Sequence, residues 1–265
     1  MKIFDCFCYF DEDLILDIRL NVLDKYVDKF VIVESGEDHR GNKKKQLFDI
    51  NKFSKFKNKI IYLFFETFGD FNDDWHRENF QRNYIKNGLA SANDEDIIII
   101  SDLDEVPNLK NFNFSHYPDE RYFSFEQNLY YYKLNLLVKG AGLWFGSKAC
   151  KKKYLKSPQW LRNAKSRKRY PWYRFDKINF FKISNGGWHF SYIKNLEAIQ
   201  KKIKSFAHSE HDLEKFTNLD HIKNSINNHK DLFNRADYVL EKVKIDNTYP
   251  DFIINNKVLL KDFIL

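Results

Sequence analysis

Apolar positions in the first hundred residues fall into two alternating patterns. Short unbroken apolar runs at Ile3 to Phe10, Phe30 to Glu34, Ile60 to Phe65 and Ile97 to Ile100 predict strands buried on both faces. Between them lie stretches with helical period. From Asp11 to Lys25, Ile15, Ile18 and Val22 form one stripe and Leu16, Leu20 and Leu23 the next, and Trp75 to Leu89 predicts a second helix. Buried strands alternating with helices imply a parallel sheet covered on both faces, so the expected fold class is α/β.

The pattern changes after residue 120. Tyr122 to Phe125 and Leu129 to Leu137 are aromatic and strand-like, with no helix between them. Gly140, Gly142 and Gly146 punctuate the next stretch, and Ile178 to Ile183 predicts a further strand, closed by a turn at Asn185-Gly186-Gly187. From Asn195 the chain is helical again, with Leu196, Ile199, Ile203 and Phe206 on one stripe, and the polar C-terminal stretch predicts helices packed on the outside. There is no internal repeat and no low-complexity linker, which favours one α/β domain with an irregular C-terminal half.

Composition narrows the class. With 43% hydrophobic and 31% charged residues the chain is globular rather than disordered. No stretch reaches the ~20 apolar residues of a membrane span. The opening MKIFDCFCYF is too short an apolar run for a signal peptide, so a cytoplasmic location is expected. Cys6, Cys8 and Cys150 are odd in number and irregularly spaced, which is no disulfide framework and fits a reducing compartment. The net charge of +7 is unevenly spread, with a basic block from Lys148 to Arg174. Such a block attracts phosphates, nucleic acid or an acidic membrane surface, and its plainer reading is a solvated loop. Peripheral membrane contact through it is a further expectation.

The chemistry concentrates where the Ile97 run ends, at Ser101-Asp102-Leu103-Asp104-Glu105. Ligands of open α/β sheets bind beyond the carboxyl ends of the strands. Carboxylates crowded there repel one another unless a cation sits among them. In extended geometry Asp102 and Asp104 face the same way while Leu103 turns to the core. Oxygen ligands so placed suit Mg²⁺ or Mn²⁺. A divalent ion stabilises the diphosphate that leaves when a nucleotide-activated sugar reacts. The alternative is that these acids cap a turn ahead of Pro107. On the preceding helix Arg77 and Gln81 share a face and are placed to reach donor phosphates or ribose, whereas Glu78 with Arg82 reads as a surface pair. At Gly186-Gly187-Trp188-His189 the glycines permit a close backbone approach, Trp188 offers a flat apolar surface to the donor, and His189 offers a metal ligand or a hydrogen bond. His208, Glu210 and His211 form a further polar cluster, assigned a donor-contact or structural role.

Taken in order, several segments resemble glycosyltransferase family 17, whose best-known members add the bisecting N-acetylglucosamine to N-glycans. They are Asp5-Cys6-Phe7 with Asp17-Ile18-Arg19-Leu20-Asn21, Val27 to Ser35, Gln81-Arg82-Asn83, Ile100 to Pro107, and Gly186 to Ser191. The resemblance implies a GT-A type nucleotide-sugar-binding fold with a mostly parallel central sheet and a helical C-terminal portion. It implies a UDP-sugar donor (UDP-N-acetylglucosamine in known members), a saccharide acceptor, inversion at the anomeric carbon, and a metal at Asp102 and Asp104 completed by His189. Glu34 and Ser35 are placed like residues that hold the nucleoside. The expected organisation is a single domain over 1–265: a nucleotide-sugar-binding half at 1–110, an acceptor and metal-completing half at 111–210, and a helical extension at 211–265. The segment Ser35 to Gly41 is more polar than the animal members lead one to expect, so their acceptor does not transfer.

Inversion needs one general base opposite the leaving diphosphate. Glu126, following the strand Tyr122 to Phe125 and close to Tyr130, Tyr131 and Tyr132, is the first candidate. Asp176 and Glu105 are its rivals. Two other classes compete. A nucleotidyltransferase would carry a glycine-rich phosphate loop after the first strand, but Cys8 to Asp13 contains no glycine. A nucleic-acid-binding module would use the basic block and aromatics, but no such motif is present and nucleic acid is not an expected partner.

Overall fold

The computed structural model describes residues 1–70, 73–171, 173–174, 176–205 and 213–265. The Phe206 end of the predicted helical stripe and the cluster His208, Glu210 and His211 lie outside them.

The N-terminal half follows its apolar pattern. It runs β1 (Ile3–Cys8), α1 (Asp13–Leu23), β2 (Lys29–Ser35), β3 (Ile60–Phe65), α2 (Asp74–Tyr84) and β4 (Ile97–Ile100). Helix α2 ends one turn early and continues as a 3₁₀ turn over Ile85–Leu89. β4, β1, β2 and β3 lie side by side and parallel. The four isoleucines of β4 are fully buried and alternate between layers. Ile97 and Ile99 pack with α1 residues such as Ile15 and Leu16, while Ile98 and Ile100 pack with Ile85 and Leu161 on the other face. Each such side chain contributes about 1.5–3 kcal/mol of transfer free energy.

The second half is built differently. It comprises β5 (Glu105–Pro107), β6 (Tyr122–Tyr131), β7 (Leu136–Gly140), β8 (Lys148–Lys151), α3 (Pro158–Asn163), β9 (Phe181–Ser191), α4 (Leu196–Ser205), α5 (Glu214–Thr217), α6 (Leu219–Asn227), β10 (Tyr238–Lys242) and α7 (Asp251–Asn255). The sheet order is β10-β7-β6-β8-β4-β1-β2-β3, with β9 joining β6 to β5. Here β10·β7, β7·β6, β6·β8, β8·β4 and β5·β9 are antiparallel, and only β6·β9 is parallel.

This overturns the expected mostly parallel, GT-A type sheet. The sheet is mixed, and five of its nine strand pairings are antiparallel. The parallel expectation came from strands alternating with crossover helices. The aromatic strands after residue 120 lack those helices, and β6 returns directly as β7, which closes only antiparallel pairs. Two smaller corrections follow. The Leu129 to Leu137 strand is broken at Tyr132, which has a positive φ of 64°. Asn185-Gly186-Gly187 is no chain reversal but an irregularity inside β9, where the register slips against β6 between Phe125 and Gln127. Gly187 has φ 135°, and a Cβ there would stand 2.2 Å from the Val106 carbonyl oxygen, so only glycine lets β5 lie this close to β9. The C-terminal stretch holds the short helices α5, α6 and α7, separated by turns and loops, and an edge strand, β10.

A cleft at the ends of the parallel strands

β1, β2 and β4 end on the same edge of the sheet, and the segments that follow them form a cleft of about 280 Å³. Its walls include Tyr9, Phe10 and Glu12 after β1, Ser35 at the end of β2 with Glu37, Asp38 and His39 after it, and Asp102 to Asp104 after β4. α2 adds Glu78, Gln81 and Arg82; the end of β9 adds His189 and Ser191, followed by Tyr192; α4 adds Lys202 and Ser205.

The acidic loop is held from behind by Arg19 of α1. Its guanidinium is fully buried and forms a two-pronged pair with Asp5, at 2.7 and 2.6 Å. The remaining donors reach the Ser101 hydroxyl at 2.8 Å and the carbonyls of Asp102, Leu103 and Glu105 at 3.1, 3.1 and 2.7 Å. One side chain thus fixes the backbone of the whole loop. Removing a partner from a buried pair of this kind costs about 3–5 kcal/mol. The loop leads into β5, which pairs Glu105 with His189, and the Phe190 amide donates to the Asp104 carbonyl at 2.8 Å. His189 is thereby brought to Asp104.

Each carboxylate of the loop meets cations. Asp102 accepts from Arg82 at 2.9 Å through one oxygen and from Arg162 at 2.5 Å through the other. Burial by itself raises a carboxyl pKa, but Arg162 and Arg82 outweigh it and hold Asp102 well below the usual range. Asp104 lies 3.1 Å from the Lys202 ammonium and 3.4 Å from His189 Nε2. Burial again opposes ionisation, and Lys202 with His189 overcomes it. Lys202 also pairs with Glu12 at 3.2 Å, and Asp104 and Glu12 keep it charged against its burial. Glu105 is fully buried and accepts from Trp144 Nε1 at 2.6 Å, Arg162 at 2.8 Å and the Asp102 amide at 3.0 Å. A Cβ on Gly146 would stand 1.8 Å from that carboxylate. The thiol of Cys8, in the cleft wall, is pushed up to about 12, chiefly by burial, so it is no nucleophile at neutral pH.

Other residues named from the sequence take up varied places. Ser35 and Gln81 line the cleft, Gln81 bonding His39 Nε2 at 2.8 Å and the Val33 carbonyl at 3.2 Å. Glu34 is fully buried behind the wall. It accepts from Lys44, Tyr62 and the amides of Leu47 and Phe48, so it shapes the 44–48 loop. Arg77 bonds the His39 carbonyl and Asp74. Trp188 turns into the main core, its Nε1 donating to the Thr248 carbonyl, so it presents no face to the cleft. Glu126 does not line the cleft. It shares the sheet face of His189, opposite the core face of Phe125, Trp188 and Phe190, and accepts from Ser184 at 3.0 Å. Asp176 is exposed and paired with Arg174 and Lys177.

Sequence reasoning missed Arg162, Lys202, Arg19, Glu12 and His39. Lys202 carried a signal, because it adjoins Ile199 and Ile203 on the apolar stripe of α4. Arg162 carried none, being one cation among many in the basic block. Arg82 does pair with Glu78, at 2.7 Å, but the pair is no surface pair, since Arg82 is buried and reaches Asp102.

Asp102, Asp104 and His189 match a hard divalent ion in kind, with carboxylate oxygens and an imidazole at one wall. His189 Nδ1 is a buried nitrogen without a hydrogen-bond partner. They are not gathered into a shell. Among the described residues no three His, Cys, Asp or Glu side chains form a metal-holding group, because the carboxylates are turned onto Arg82, Arg162 and Lys202. Among the described residues no helix is long and apolar enough to cross a membrane.

No curated protein matches the chain. The model of glycosyltransferase family 17 matches residues 1–239, from β1 through the cleft to the start of β10, and the chain therefore belongs to glycosyltransferase family 17.

Proposed function

We propose that the chain transfers a sugar, N-acetylglucosamine in the first instance, from a UDP-sugar to a saccharide acceptor with inversion. The observation that carries this reading is the acidic loop, fixed by Arg19 at the carboxyl ends of the parallel strands and opening on the cleft, in a chain of this family. Mn²⁺ or Mg²⁺ held by Asp102, Asp104 and His189 would supply a Lewis acid for the departing diphosphate. The chain's own residues do the rest. Arg82 and Arg162 hold Asp102 ionised and oriented. Ser35, His39 and Gln81 form the wall where the nucleoside lies, and the exposed side of the Lys165 to Arg169 segment is the surface offered to an anionic acceptor or membrane.

Glu126 is the proposed base. The acids lining the cleft are already engaged: Glu12 by lysines, Glu78 by Arg82, Glu37 by the Phe68 amide and Asp38 by Asn42. Among the described residues no cation pairs with Glu126, whose carboxylate accepts from the Ser184 hydroxyl. Gln127 stands opposite Gly187 and Leu129 opposite His189. At roughly 3.3 Å per residue, Glu126 is then about 10 Å along β6 from the level of His189, with Gln127 and Trp144 between them.

Calorimetric titration of UDP and UDP-N-acetylglucosamine, with and without Mn²⁺, tests the reading. Metal-dependent binding of both is expected. Binding of UDP alone would move the proposal to another donor sugar, and binding of neither at about 100 µM protein would defeat it.

A further inference from the structure

We infer that Lys202 is a resident counter-ion that competes with the divalent cation for Asp104 and, once displaced, turns its ammonium onto the donor's diphosphate. This rests on the donor-site reading above.

Lys202 sits on the buried side of α4 beside Ile199 and Ile203, and is only 5% exposed. A lysine is kept there only by its partners. Its ammonium bridges Asp104 Oδ2 at 3.1 Å and Glu12 Oε1 at 3.2 Å, and lies 5.4 Å from the centre of the Tyr192 ring. Neither acid depends on it alone. Glu12 has Lys194 at 3.4 Å, and Asp104 has His189 at 3.4 Å. The cations on Asp102 are of another sort. Arg82 is also tied to Glu78 and Gln159, and Arg162 to Glu105. Lys148 donates to the carbonyls of Arg162 and Ala164, pinning the end of α3. A rigid planar guanidinium fork reorients less readily than an ammonium on a flexible four-carbon stem. Lys202 is the replaceable cation of the set, and it lines the cleft, so on leaving Asp104 it faces whatever occupies that space.

Charge balance gives the order of events. Among the described residues Asp11, Glu12 and Asp104 pair with Lys194, Lys201 and Lys202. A bare divalent ion that takes Asp104 therefore meets a carboxylate already paired with an ammonium and must displace it. When the ion arrives with a diphosphate, the added charges cancel and the evicted ammonium gains a phosphate partner. Ion and nucleotide thus bind together rather than one after the other.

The test is titration of Mn²⁺ alone, by calorimetry or by loss of the free-ion resonance signal, into the wild-type chain and Lys202→Met. The variant is expected to bind Mn²⁺ about tenfold more tightly, the scale of one relieved charge competition. In saturating Mn²⁺ it is expected to bind UDP about tenfold more weakly, for want of the ammonium. Equal or weaker Mn²⁺ affinity in Lys202→Met overturns the competition, and unchanged UDP affinity overturns the diphosphate contact. Because Lys202→Met leaves two buried carboxylates short of a cation, Lys202→Met/Glu12→Gln is measured beside it, with thermal melts of both. The double variant is expected to retain the tighter Mn²⁺ site, and its failure to do so counts against the proposal. The Mn²⁺ arm uses no nucleotide, so a wild-type chain that ignores UDP defeats the donor reading and leaves the Lys202 comparison decisive.

Discussion

A guanidinium and an ammonium neutralise a carboxylate in different ways, and the acidic loop uses both. Arg82 and Arg162 fix Asp102 from two sides, which sets its direction, while Lys202 neutralises Asp104 by proximity, with His189 Nε2 at 3.4 Å. Glu126 has a hydroxyl donor in place of a cation. Glu126→Gln is therefore expected to fold and to bind UDP as the wild type does, while turnover falls by about 10²–10⁴, the range of a lost general base; steady-state and binding assays run together check this. His39 makes a pH prediction. Burial holds its pKa below the ordinary value, despite Glu78 and the bond to Gln81. The unfolded chain therefore takes up its proton first as the pH falls. The stability His39 contributes is complete above about pH 6.5, the unfolded value, and is lost as pH drops toward the lower folded value. Denaturant melts between pH 7 and 5 should show this slope, and His39→Gln should flatten it. Such roles are hard to read from a sequence. Asp102 and Asp104 stand out because an apolar run ends on them, but nothing in the spacing of Arg162 or His39 says which carboxylate or amide each will meet.

Among the elements, β5 and β9 decide the geometry. Three residues of β5 carry the loop from the end of β4 onto β9, and the contact of Glu105 with His189 follows from that register. Gly187 permits the approach. Gly187→Ala would press a methyl group onto the Val106 carbonyl and force an alanine into a positive φ. A loss of about 1–3 kcal/mol is expected from the backbone strain, with UDP binding weakened as His189 and Asp104 separate. Chemical denaturation and calorimetry on the variant check both. The Gly-Gly pair was visible in the sequence as a place of special backbone, but a turn and an irregular strand ask for the same residues. Only the partner strand decides between them, and β5 is too short to be recognised by its own periodicity.

At the scale of the molecule, the sheet joins two building styles at the β4·β8 boundary. The parallel half was legible because each strand is a closed apolar run followed by its covering helix. The antiparallel half was not, because aromatic strands connected by loops give the same local signal whichever direction they pair. The charge is similarly divided. The net +7 of the chain gives no hint of the cleft, whose lining has more carboxylates than lysine and arginine side chains, and part of the basic block, Lys148 and Arg162, lies inside the protein. The boundary also bears on synthesis. β4 gains its second neighbour only when Lys148–Lys151 has been made, since Ile97 pairs with Lys151 and Ile100 with Lys148. Until then a row of isoleucines ends in an open hydrogen-bonding edge, the kind of surface that recruits other growing chains. The strand that supports the acidic loop is therefore also the point at which a nascent or truncated chain is most exposed to aggregation, and a ribosome that pauses shortly before residue 148 leaves that edge uncovered for longest.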